Sequence, residues 1–122
     1  MAFTTKRSYV GVQVTLADHT KTYLLLDLVN AVIAAETNWD GSAVCGAAAK
    51  QMILQAPTGN TGTVYVGDAL LVAAGAGRQS GEIVKAASRV YGTGDCNSVD
   101  LGQIYVTPAT DNDKLNVEVM VG

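Results

Sequence analysis

Residues 114–121 read "KLNVEVMV", and how this stretch is read decides the fold. Leu115, Val117, Val119 and Val121 fall on one side of an extended chain; Asn116, Glu118 and Met120 fall on the other. Successive side chains of a strand point to opposite faces of the sheet, so strict alternation predicts a strand with one buried face. No segment of the chain alternates more cleanly. Ser8–Leu16 shows the same pattern, with Val10, Val12, Val14 and Leu16 set against Tyr9, Gly11, Gln13 and Thr15.

Between these two strands the period changes once. In residues 23–36, "YLLLDLVNAVIAAE", Leu25, Leu28, Val29 and Val32 stand at the spacing of one helix face, and Thr22 is placed to cap the first turn. The opening "YLLL" is also compatible with a short strand. From Lys50 onward the chain reads as β. "KQMILQA" puts Met52, Leu54 and Ala56 on one side, and "PTGNTG" is a turn. "TVYVGDALLV" is a strand pair, or one strand interrupted at Gly67–Asp68. "AAGAGRQSG" reads as a loop, "EIVKAASRV" as a strand with a helical alternative, and "YGTGDCNSVDLG" as an irregular connection before "QIYVT". Short strands separated by frequent turns, with one early helix, predict a mainly β, antiparallel β-sandwich or jelly-roll-like barrel. A single β-rich domain is expected over residues 1–122, a length that can bury a core unaided.

Composition removes several function classes. A net charge of −3, with the eight Lys and Arg scattered apart from Lys6–Arg7, lacks the basic footprint of a nucleic-acid module. The longest apolar run, within Tyr23–Ala35, is broken by Asp27 and Asn30 and falls short of the roughly 20 residues a membrane helix needs, so no membrane partner is expected. The opening "MAFTTKRSYV" has no uninterrupted apolar segment of the secretory kind. Cys45 and Cys96 are accordingly expected as free thiols.

No catalytic constellation assembles from the sequence, and neither cofactor nor metal is expected. His19 is the sole histidine, so multi-histidine metal sites are excluded, and in "ADHT" it reads as a surface turn residue. "GAGRQSGE" lacks the Gly-Lys-Ser/Thr of a phosphate loop. "DNDK" at 111–114 and "ETNWD" at 36–40 offer oxygen ligands without the spacing of an EF-hand, and "DND" reads as a solvated turn. The expected protein is not an enzyme. Two strands, "TVYVG" and "QIYVT", carry a tyrosine between β-branched residues. With Val64 and Val66, or Ile104 and Val106, directed inward, Tyr65 and Tyr105 project outward and offer rigid contact area with a polar tip. Together with Tyr9 and Trp39 they are the candidate interface residues.

The stretch "QMILQAPTGNTGTVYVGDA", followed by "LGQIYVTPATDNDKLNVEVMV", resembles small structural proteins of tailed bacteriophage virions. The resemblance covers roughly residues 50–122 and rests chiefly on "NTGTVYVGD" and the late "IYV" strand. It implies a non-enzymatic, β-rich virion protein assembled in the host cytoplasm, most simply a capsid decoration or cement protein. Its partner would be the major capsid protein or another virion protein, and it would form a homo-oligomer, a trimer being favoured. Within that resemblance a neck or tail component is the alternative; outside it stands a carbohydrate- or receptor-binding β module.

Overall fold

The computed structural model describes residues 9–35, 48–92 and 99–120. Trp39, Cys45 and Cys96 lie outside the described residues, as do the expectations attached to them. The elements in chain order are β1 (Tyr9–Leu16), β2 (Tyr23–Leu24), α1 (Leu25–Ala34), β3 (Ala48–Ala49), β4 (Gln51–Gln55), β5 (Val64–Val72), β6 (Gly77–Ile83), β7 (Ser88–Tyr91), β8 (Val99–Asp100), β9 (Tyr105–Pro108) and β10 (Asp113–Met120). One-turn 3₁₀ segments stand at Ala73–Gly75 and Leu101–Gln103.

The strands form two four-stranded antiparallel sheets, ordered β1-β10-β4-β7 and β2-β9-β5-β6, with β3 and β8 paired apart. Each strand of the first sheet holds the same place in the order as a chain neighbour in the second: β1 with β2, β10 with β9, β4 with β5, β7 with β6. That is jelly-roll connectivity, two Greek keys wound into two layers. The sheets stay separate, so the fold is the expected sandwich and not a closed barrel.

Alternation creates the core between the layers. Val10, Val14, Leu16, Met52, Leu54, Leu115, Val117 and Val119 point inward from the first sheet; Val64, Val66, Ile83 and Val106 point inward from the second. Helix α1 adds Leu25, Val29 and Ile33, while Leu28 and Val32 of the expected face are half-buried against the same cluster. The helix starts two residues later than the sequence pattern suggests. Leu24 occupies the cap position without a side-chain cap bond, and the N–H of Leu25 donates to the Ile104 carbonyl at 2.9 Å. The carbonyl just ahead of β9 therefore takes one of the orphan N–H groups that Thr22 was expected to serve. Tyr23–Leu24 pair with β9, so the strand reading of this segment holds for two residues.

Two connections depart from the sequence reading. Residues 77–81 form most of β6, because β5 supplies a hydrogen-bonding partner that overrides the weak strand propensity of Gly, Arg, Gln and Ser. "EIVKAASRV" is not one strand: Ala86 takes a left-handed φ of 69°, and the Ala87 N–H donates to the Val84 carbonyl at 2.9 Å. The chain turns there to pass from β6 in one layer to β7 in the other. "TVYVGDALLV" is one strand with the interruption expected at Gly67–Asp68, since its register against β6 shifts on either side of Gly67.

The loop from β4 to β5, which also changes layers, is held by two side chains. Asn60, buried at 5% exposure, donates Nδ2 to the Lys114 carbonyl and accepts the Lys114 N–H, both at 2.8 Å. It extends the pairing of β4 with β10 by using a side-chain amide in place of backbone. Asp113, also buried, accepts the N–H groups of Thr61 at 2.9 Å and Gly62 at 2.8 Å. The "DND" turn is therefore solvated only in part, since its last carboxylate is a buried anchor. Asn60→Ala should lower stability by about 2 kcal/mol by stranding two backbone groups of Lys114, seen as a melting-temperature fall of roughly 5–10 °C. Asn60→Asp should do no better, since its carboxylate cannot donate to the Lys114 carbonyl. A change of less than about 0.5 kcal/mol for both variants, the range of an ordinary surface site, would contradict the anchoring role.

Candidate interaction surface

The two tyrosine strands, β5 and β9, are direct neighbours. Tyr65 faces Thr107 and Gly67 faces Tyr105, so both tyrosines lie on the outer face of the same sheet, diagonally across the pair. Val64, Val66 and Val106 are buried on the opposite face as expected, and Ile104 is half-buried. Both rings are half-buried, for different reasons.

Tyr65 is covered by its own chain. The Ala73–Gly75 turn folds back over the outer face, where the Ala74 N–H donates to Thr107 Oγ1 at 3.1 Å. That hydroxyl in turn donates to the Lys21 carbonyl at 2.8 Å, which satisfies a fully buried threonine. Gly75 has φ +74° and lies so close to the ring that a Cβ there would stand 2.4 Å from Tyr65 Cζ. Only glycine meets both conditions. Tyr65 is thus the floor under a turn.

Tyr105 lies beside the bulge of β5. Between Gly67, paired with Gln79, and Val72, paired with Gly77, β5 has four residues where β6 has one, Arg78. A bulge of this kind re-aims side chains and bends the strand. It turns Leu71 down over Gly67, buried on the outer face, and Leu70 out to 63% exposure, the largest among the exposed apolar side chains of the described residues. Asp68, Ala69 and Leu70 on one side, and Gly102, Gln103 and Tyr105 on the other, line an open hollow of about 240 Å³. Both walls are held by short polar turns. Asp68 Oδ1 accepts the Leu70 N–H at 2.9 Å; Asp100 Oδ1 accepts the Gly102 N–H at 2.8 Å, and its Oδ2 accepts from Gln103 Nε2 at 3.3 Å. A second hollow of about 330 Å³, lined by Tyr91, Gly92, Val99, Asp100, Gln103 and Ile104, adjoins it at Gln103.

The other sequence-derived candidates lie elsewhere. Tyr9, 51% exposed, stands on the outer face of the other sheet with its ring over Gly11, where a Cβ would meet the Tyr9 hydroxyl at 2.8 Å. The fold therefore does not gather Tyr9 with Tyr65 and Tyr105. Leu70 and Gln103 escaped the sequence reading; the signal for Leu70 was the broken alternation of "ALL" after Gly67–Asp68.

One charged cluster ties two turns together. His19 Nδ1 lies 2.7 Å from Asp111 Oδ1, which also accepts the His19 N–H at 2.8 Å. Asp18, beside them, accepts the Thr20 hydroxyl at 2.6 Å and its N–H at 2.8 Å. The three side chains bring oxygen and nitrogen ligand types within 4.8 Å of one another, and all are solvent-accessible. The two His19–Asp111 bonds fix the β1–β2 corner to the β9–β10 corner, while the Asp18–Thr20 bonds close the β1–β2 turn itself. The hydrogen bond to Asp111, then its charge, raises the His19 pKa; the His19 N–H, then its ring, lowers that of Asp111. Thr20 lowers that of Asp18.

No family model matches the chain, and neither a curated protein nor a solved structure matches it.

The His19–Asp111 pair gives a pH dependence of known sign. A raised imidazole pKa contributes stability fully below the unfolded value of about 6.5, and that contribution is lost as pH rises through the folded pKa. A lowered carboxylate pKa contributes above the ordinary aspartate value and is lost as pH falls through its folded one. NMR titration should therefore place His19 above about 6.5, and Asp111→Asn should bring it back down. A wild-type value at or below the ordinary one would show that the pair does not form in solution.

Proposed function

We propose that this protein is a non-enzymatic structural component of a tailed-phage virion, a decoration protein seated on the lattice of the major capsid protein through the surface around Leu70 and Tyr105. The observation that carries the reading is the β5 bulge. It sets a largely exposed leucine beside a strand tyrosine on a sheet face whose walls are held by hydrogen bonds. A rigid aromatic with an aliphatic neighbour is the composition of an interface anchor, and holding it in place beforehand lowers the ordering cost of binding. The resemblance of residues 50–122 to phage structural proteins supplies the partner class. The jelly-roll architecture, which recurs in viral capsid domains and in lectins, is compatible with it and decides nothing alone. Repeated on a symmetric lattice, contacts of modest strength hold through their number. A neck or tail component would use the same surface.

One observation favours a second reading. Tyr105 shares its hollow with Asp68 and Gln103, a ring beside a carboxylate and an amide, as a carbohydrate-binding module would arrange them.

Leu70→Ser should leave the melting temperature nearly unchanged, Tyr105→Ser should lower it less than Tyr65→Ser does, and both should reduce occupancy on particles. Loss of a central anchor corresponds to about 2 kcal/mol, roughly thirty-fold in affinity. Tyr65→Ser should instead destabilise the fold by about 2–3 kcal/mol, below the cost for a fully buried ring, because the 73–75 turn loses its floor. Full occupancy with the Tyr105 and Leu70 variants would overturn this placement, and binding of a soluble glycan abolished by Tyr105→Ser would favour the second reading.

A further inference from the structure

Among the described residues, the four edges of the two four-stranded sheets are not equally guarded. An exposed edge strand presents unpaired backbone N–H and C=O groups, and proteins blunt such edges with charge, bulges or short length. β2 is two residues long. β6 carries Arg78 and Glu82, a left-handed φ of 63° at Arg78 and two register shifts. β7 has four residues, with Arg89 stacked 5.7 Å from the centre of the Tyr91 ring. β1, against which helix α1 packs, has no charge, no bulge and full length. Its eight residues, "YVGVQVTL", contain no charge and no proline, and they keep unbroken register with β10 from Tyr9–Met120 to Leu16–Asp113. Among the described residues, β10 is the sole strand paired with it.

We propose that the β1 edges of two copies of this chain pair antiparallel about a two-fold axis at Gln13, joining their β1-β10-β4-β7 sheets into one continuous sheet. Three features select a second copy as the occupant. First, a strand without charge meets its own image with no like-charge repulsion, the usual obstacle to edge self-pairing. Second, a two-fold at Gln13 keeps the faces in phase: Val12 stands opposite Val14 and Gly11 opposite Thr15, so inward residues meet inward ones. Val12, the one inward residue of β1 left half-exposed, then gains a neighbour. Third, an amide ladder crosses the outer face and stops at this edge. Gln13 Nε2 donates to Asn116 Oδ1 at 2.8 Å, and Asn116 Nδ2 donates to Gln55 Oε1 at 3.2 Å. Gln13 keeps a carbonyl and one amide hydrogen, and a second Gln13 across the axis is complementary to both.

This pairing stands independently of the virion reading. One eight-residue edge is smaller than a standard interface of about 1,600 Å², so the dimer should be weak and must be sought at high concentration. Sedimentation equilibrium of the full chain, up to about 1 mM, the weak end of specific association, should show a monomer–dimer equilibrium. Gln13→Lys and Gln13→Glu, at an exposed position, should each be folded and monomeric, and an equimolar mixture should dimerise again because Lys faces Glu. Hydrogen exchange of wild-type β1 amides, which needs no variant, should slow as concentration rises. A wild-type chain that stays monomeric throughout, single variants that dimerise like wild type, a mixture that stays monomeric, or concentration-independent β1 exchange would each overturn the proposal.

Discussion

The fold depends on how the chain changes layers, and the decisive constraint is the pair of side chains that hold the crossing from β4 to β5. Asn60 substitutes its amide for a missing strand partner of Lys114, and Asp113 takes the next two N–H groups of the loop. Just beyond, the Ala109 N–H donates to the Thr63 carbonyl at 2.9 Å. The β4–β5 crossing and the β9–β10 corner are therefore fixed against each other before β5 begins. This sets the register in which Val64 stands opposite Pro108. A slip of one residue would send Val64 and Val66 to the outside and Tyr65 into the core. Buried polar groups of this kind are costly unless satisfied, and here each bond replaces one that backbone would otherwise make.

With that register set, the outer face of the second sheet acquires two different tyrosines from two similar strands. Tyr65 is roofed by the Ala73–Gly75 turn, itself held through Thr107 to the Lys21 carbonyl. Tyr105 stands next to the place where β5 bulges, so its neighbour is the exposed Leu70. The similarity of "TVYVG" and "QIYVT" thus conceals a division of labour, one ring closing the fold and the other lining a surface. The bulge and the turn create that difference, and both lie in the segment after Gly67.

Strand identity was legible wherever one face is buried and the other wet. β1, β4 and β10 follow their alternation residue by residue, because burial on one side is what alternation encodes. Legibility failed where pairing overrides local preference. Nothing in "GRQSG" announces an edge strand, and two alanines conceal the turn at Ala86 that carries the chain between layers. The helix was visible from its period, but its start was set by the Ile104 carbonyl, a contact from far along the chain. At the surface, the tyrosines could be seen to project, but which one stays open could not, since the cover on Tyr65 comes from a loop ten residues away. Leu70 was hidden for the same reason: its exposure follows from a bulge, and a bulge is a relation between two strands.

The proposed seat on a capsid lattice is the Leu70–Tyr105 surface. That placement is tested most directly by cryo-electron microscopy of particles carrying this protein, at a resolution that places side chains. The expected map shows the jelly roll on the outside of the head, with Leu70 and Tyr105 packed against the major capsid protein and Tyr65 enclosed beneath its turn. A map in which Leu70 and Tyr105 face solvent while another surface makes the contact, or one with no density for this chain on the head, would contradict it.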